Sequence, residues 1–204
     1  MPVPLAAIPA PLRENEPANA VFESAETLAL LAHRRSTKVV HFREPGPSGV
    51  EIDALLRLAA RVPDHGKLGP WRFVVIEGEG RARAGEALAG VAADARSAEI
   101  ARQTFLRAPL CVMVVSTAAP HAKIPEWEQQ LSAGAVCFAL LIAAHAMGYG
   151  GCWITGWPVY DPRARAALEV AEGERVAGFI HLGTPTETPT ERVRADVGAR
   201  VGRF

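Results

Sequence analysis

The sequence predicts an α+β domain, or a three-layer α/β/α arrangement, on three observations. Segments with helical apolar spacing are interleaved with short β-rich runs. The two kinds do not strictly alternate, which argues against a regular doubly wound sheet. The length, 204 residues, suits one domain large enough to bury a sizeable core.

Along the chain, residues 1–23 carry recurrent proline and lack both a basic start and an unbroken apolar stretch. They read as an extended arm rather than a secretory signal, either disordered or laid across a neighbour. Residues 24–204 read as a single domain. Ser24 is placed to cap a helix over about Ala25 to His33, with Leu28, Leu31 and Ala32 at helical spacing. A second helix opens at SGVE, where Ser48 and Glu51 have capping-box spacing, and presents Ile52, Leu55, Leu56 and Ala59 before Pro63 stops it. WRFVVIEG predicts a central strand closed by glycine. Gly80 to about Arg107 is Ala- and Arg-rich and reads as one or two helices, and CVMVVST as a second buried strand. A long helix from about Glu126 to Met147 leads into GYGGCWITGW, with Gly148 suited to a left-handed helix end. A helix near Asp161 to Val170, a strand at RVAGFIHLG and a polar tail complete the chain.

Lys plus Arg equals Asp plus Glu at 22 each, so no overall field recruits nucleic acid or an anionic membrane, and any anion site must be local. Cys111, Cys137 and Cys152 lie far apart in apolar contexts without a CxxC pair, and read as buried thiols of a reducing, cytoplasmic protein. The apolar run from Leu131 is broken by Ser132, Gly134 and His145, short of a membrane span, and suits a soluble core or an obligate interface.

Three stretches could carry chemistry. HRRSTK sets Arg34, Arg35 and Lys38 around Ser36: arginine forks a phosphate, serine adds a donor and lysine a mobile charge. The same cluster is also what a solvated helix C-terminus looks like. RVPDHGKLGPWRF loads one connection with Arg61, Asp64, His65 and Lys67, yet the chain has no GxSxG elbow to complete a triad and no HExxH for zinc. Gly66 and Gly69 let backbone approach a flat ligand. GYGGCWITGW has a dinucleotide-like GxGG, but it follows a helix and precedes a strand, the reverse of the Rossmann order. What remains is a strand end suited to lining a planar aromatic cofactor.

RRSTK, RVPDHGKLGPWRFVVIEG, EWEQQLSAGAVCFALLIAAHAMGYGGCWITG and VAGFIHLGTP, in this order, resemble the nitroreductase family of FMN-dependent, NAD(P)H-using oxidoreductases, and within it the small bacterial subgroup whose loop reads P-D-H. The resemblance runs from about Leu28 to Pro185. It implies a three-layer α+β fold with a mainly antiparallel central sheet, and a homodimer with FMN at the subunit interface. It places the FMN phosphate and ribityl chain on Arg34, Arg35 and Ser36, and Lys38 at the flavin pyrimidine edge, where a fixed positive charge favours the reduced anion. Arg61 and His65 would reach the flavin bound mainly by the partner, Trp153, Ile154 and Thr155 would contact flavin, and Ala143, Ala144, His145, Ala146, Met147 and Gly148 match a nicotinamide-cofactor segment. Arg192 and Arg194 are candidates for a further phosphate contact. The implied activity is hydride transfer from NAD(P)H through FMN to a nitroaromatic or quinone in a ping-pong cycle, with no catalytic dyad. Dehydrogenation of a specific metabolite, or flavin binding without turnover, are the alternatives.

Overall fold

Two strands buried on both faces organise the molecule: β3 (Leu110–Ser116) and β5 (Arg175–Pro185). In the computed structural model, which describes residues 3–18 and 23–204, they pair antiparallel with each other. The elements in chain order are α1 (Ala25–His33), β1 (Phe42–Arg43), α2 (Gly49–Ala59), β2 (Trp71–Glu77), α3 (Gly80–Ala89), α4 (Ala95–Gln103), β3, α5 (Glu126–Ala146), β4 (Gly150–Ile154), α6 (Trp157–Tyr160), α7 (Pro162–Ala167) and β5. The sheet runs β1-β5-β3-β2, with β4 also pairing with β5, and every pairing is antiparallel.

Alternation along β3 and β5 divides the core in two. Leu110, Val112, Val114, Ile180 and Leu182 face α2 and α5, while Cys111, Met113, Val115 and Phe179 face α3, α4 and α7. Each such Val, Leu, Ile, Met or Phe side chain, fully buried, contributes about 1.5–3 kcal/mol. This is the expected α+β fold in three layers.

The strand expected to be central, β2, lies at the sheet edge, pairing among the described residues only with β3. A β-rich run records the wish to be buried, not the number of neighbours. The edge position is compatible with Arg72, whose guanidinium leaves the strand to fork Glu174 at 2.8 and 2.6 Å.

Local signals held where neighbours in sequence decide. Ser24 Oγ accepts the Thr27 N–H at 3.1 Å at the start of α1, and Glu51 reaches back to the Ser48 N–H at 2.8 Å at the start of α2. Asp161 caps α7, accepting from the Arg163 N–H at 2.8 Å. That helix ends before the expected Val170, because Glu169 turns left-handed at φ +59°. The short β1 and α6 were not expected.

Among the described residues nothing covers Leu28 and Leu31 of α1, which are 69% and 48% exposed. On the outer side of α5, Trp127, Leu131 and Phe138 are exposed as well. Of the expected arm, residues 1, 2 and 19–22 lie outside the described residues. Its earlier part forms a 3-10 turn at Leu5–Ala7 and lies on this chain's own surface: the Val3 N–H donates to Met147 O, Arg57 donates to Pro9 O, and Ile8 packs against the core under α2.

Candidate functional site

The segment after α1 is docked on β4 by one backbone bond, the Thr37 N–H to Gly151 O at 3.1 Å. Close packing requires the glycines there. A Cβ on Gly150 would stand 2.9 Å from Thr37 Oγ1, and one on Gly151 2.7 Å from Leu141 Cδ2. The GxGG run is thus spent on bringing strand, α5 and the basic segment together, not on a phosphate loop.

That docking opens a cleft of about 410 Å³. Arg34, Arg35, Ser36, Thr37 and Lys38 form one side, and Phe138, Leu141, Cys152 and Trp153 the apolar remainder. The C-terminal tail supplies Arg192 and Arg194. It is turned back by the Thr186 N–H to His41 O, by His41 against Glu187 at 2.9 Å, and by Arg35 Nε to Thr190 O at 2.9 Å. Arg194 reaches Glu191 at 3.0 Å and the carbonyl of Arg34 at 3.4 Å.

Five cations therefore converge in a chain whose net charge is zero. Burial first, then the guanidinium groups of Arg194, Arg35 and Arg192, hold Arg34 below the ordinary arginine range, with Glu191 opposing. Arg34 Nη2 donates to Ser36 Oγ at 3.2 Å, but its Nε is buried without a partner. Crowded like charges with an unused donor fit an anion bound among them.

Trp153 walls the apolar side for two reasons of backbone. A β-bulge in β5 opposite Val114 and Val115 leaves Ala177 outside the ladder, and the Ala177 carbonyl accepts Trp153 Nε1–H at 3.2 Å. Gly178 beside it has no Cβ, and one there would overlap the indole. The next residue, Ile154, turns to the opposite core, as alternation requires, and Thr155 is exposed beyond the strand.

The nitroreductase family model matches residues 31–184. The chain belongs to the nitroreductase family. It is 40% identical over 164 residues to the Escherichia coli K12 protein named "Putative NAD(P)H nitroreductase YdjA", covering 78% of this chain and 88% of that one. The crystal structure of a nitroreductase-like family protein from Bacillus cereus superposes with a TM-score of 0.81 at 22% identity, over 91% of this chain and 99% of the other. A Bacteroides fragilis nitroreductase with bound FMN has a TM-score of 0.66 at 20% identity, over 89% and 100% of the two chains.

In this chain the other expected residues divide. Arg61 and His65 are exposed and do not line the cleft of their own chain. Their loop is tied internally: Asp64 accepts the N–H groups of Leu68 at 3.1 Å and Gly69 at 2.8 Å. Gly66, at φ +74°, leaves no room for a side chain against Ile124. Ser132 Oγ donates to Pro63 O at 2.8 Å and accepts Trp71 Nε1–H at 3.3 Å.

Of the Ala143 to Gly148 segment, Ala143, Ala144 and Met147 are buried in the core, and only His145, Ala146 and Gly148 retain surface. His145 and Gly148 line a second hollow of about 350 Å³ behind Arg34. Both ring nitrogens of His145 are buried without a well-formed hydrogen bond, and burial, then Arg34, pull its pKa down, with the nearby Gly151 backbone opposing. Sequence reasoning missed Phe138, Leu141 and Thr37. Leu141 could have been found as the partner that Gly151 makes room for; Phe138 is hidden on an all-apolar helix, and Thr37 among its basic neighbours.

Proposed function

We propose that this nitroreductase is an FMN-dependent oxidoreductase that takes a hydride from NAD(P)H and passes the electrons to a nitroaromatic, quinone or similar acceptor. The observation that carries the reading is the cleft itself, with Arg34, Arg35, Lys38, Arg192 and Arg194 at its cationic side and Phe138, Leu141 and Trp153 as apolar walls. Its volume lies in the range of small-molecule sites. The match to NAD(P)H nitroreductases by sequence and to an FMN-bound nitroreductase by fold supports it.

FMN, when bound, supplies the two-electron redox chemistry, and the protein supplies position, charge and a dry surface. Arg34 and Ser36, with Arg194 and Arg192 from the returning tail, would hold the phosphate and ribityl end, and the buried Arg34 Nε is a donor free to do so. Arg35 would join them through its Nη groups, while its Nε, bonded to Thr190 O, holds the tail in place. Lys38 would stand at the pyrimidine edge, where its charge favours negative charge on the ring. Trp153 and Phe138 would shield the planar rings from water. The donor would leave before the acceptor binds, a ping-pong order, because one open face serves both. In the nicotinamide segment only His145, Ala146 and Gly148 have surface to offer.

The uncovered Leu28, Leu31, Trp127, Leu131 and Phe138 fit burial against a second copy, and a homodimer would bring Arg61 and His65 to the partner's FMN. The test is purification, FMN reconstitution and NADH or NADPH oxidation with a nitroaromatic present. Yellow protein with turnover supports the reading; protein that remains colourless in excess FMN sinks it. FMN uptake without oxidation of either nucleotide by any acceptor would leave a flavin-binding scaffold. Light scattering at micromolar concentration should give the mass of a dimer.

A further inference from the structure

Among the described residues, His65 is held by one side chain. Its Nδ1 lies 2.6 Å from Glu128 Oε2, and the two side chains are 62% and 46% exposed. An ion pair or hydrogen bond that open to water adds little to stability. Nor does the loop backbone need it, since Asp64, Ser132 and Trp71 already fasten both ends. The contact does decide the state of the ring. A carboxylate has no hydrogen to give, so Nδ1 carries the proton, and in the neutral ring Nε2 is left with a lone pair.

Glu128 is well placed to impose this. It stands in the first turn of α5, where exposed N–H groups favour a fixed negative charge, and one turn before Ser132, so a single helix face carries both supports of the loop. Gly66 packed on Ile124 sets the depth of the loop against the start of that helix.

We propose that Glu128 is a positioning residue for His65: it keeps the proton on Nδ1 and presents Nε2 as an acceptor for an N–H or hydroxyl group of the FMN held by a second copy of this chain. The proposal rests on reading the cleft as an FMN site shared between two copies. It assigns to the exposed His65–Glu128 pair a role in cofactor recognition that its slight contribution to folding does not explain.

The experiment has two arms. In FMN-free protein, proton–nitrogen correlation spectra of the histidine rings at about pH 8, with His65 assigned by its loss in His65→Ala, report the tautomer. Wild type should show His65 protonated on Nδ1, and Glu128→Ala should move it toward the Nε2–H form that free imidazole prefers. In the second arm, FMN titration should show a loss of about three- to tenfold for Glu128→Ala, the size of one hydrogen bond. Glu128→Gln, which keeps an acceptor oxygen, should remain within about twofold of wild type. In the His65→Ala background Glu128→Ala should cost nothing more. An Nε2–H tautomer in wild type, an unchanged tautomer in Glu128→Ala, or a full loss that persists without His65 overturns the proposal. Protein that takes up no FMN overturns instead the reading of the cleft, and the tautomer arm, which needs no cofactor, tells the two failures apart.

Discussion

His181, in the sealed core, and Arg34, at the cleft, share a local signature and mean different things. Both carry a buried polar atom without a partner, and burial lowers the pKa of both. His181 is fully buried in the row between Cys111 and Cys152, stacked on Phe105 at 6.2 Å and 3.8 Å from the Cys111 thiol. Burial, then Arg107, bring it down to about 4. Its unpartnered Nδ1 is sealed in that core, away from solvent. Around Arg34, four further cations face an open space of about 410 Å³. An orphaned polar atom therefore marks a ligand site only when its surroundings are open and share its charge. In a closed core the same symptom is a cost of folding.

The largest expected effect tests the sealed side. The unfolded chain protonates His181 near its ordinary 6.5 and the folded chain only near 4, so the unfolded state binds the proton first and stability falls as pH drops through that window. The full loss is roughly 3 kcal/mol. Urea unfolding at pH 7 and pH 4 should show it in wild type, and His181→Met should flatten that share of the acid limb.

On the cleft side, Arg34→Ala should weaken FMN binding by about 1.5–3 kcal/mol while leaving the unfolding midpoint of FMN-free protein nearly unchanged. Lost stability with unchanged affinity would erase the contrast between the two regions. Asp64→Ala lies between the cases: two loop N–H groups lose their acceptor, and roughly 1–2 kcal/mol of stability should go with them in urea unfolding. The smallest change belongs to Arg194→Ala. This partly exposed side chain should contribute about 1 kcal/mol or less to FMN affinity, and titrations in low and high salt should show the difference shrinking as salt rises.

Much of this was legible in the chain. The caps at Ser24 and Ser48, the left-handed Gly148 and the basic run from Arg34 to Lys38 depend on near neighbours, and the structure has each in place. Asp64, one of the polar groups loaded into the RVPDHGKLGPWRF connection, ties its own loop. The segment expected to meet the nicotinamide cofactor was less legible. On a helix apolar nearly all round, spacing cannot say that Ala143, Ala144 and Met147 point inward while His145 does not fully follow them.

The sequence by itself determined where helices start and stop, which runs are apolar enough to be strands, and that any anion site must be local, because these follow from residues within a few positions of one another. Only the tertiary structure decided that β2 is an edge strand, that Gly178 and a bulge at Ala177 seat Trp153, and that the tail returns Arg192 and Arg194 to Arg34. Those outcomes depend on which distant segments pair. Pairing is set by the summed fit of two core faces and a backbone ladder, and no single stretch of the chain contains that sum.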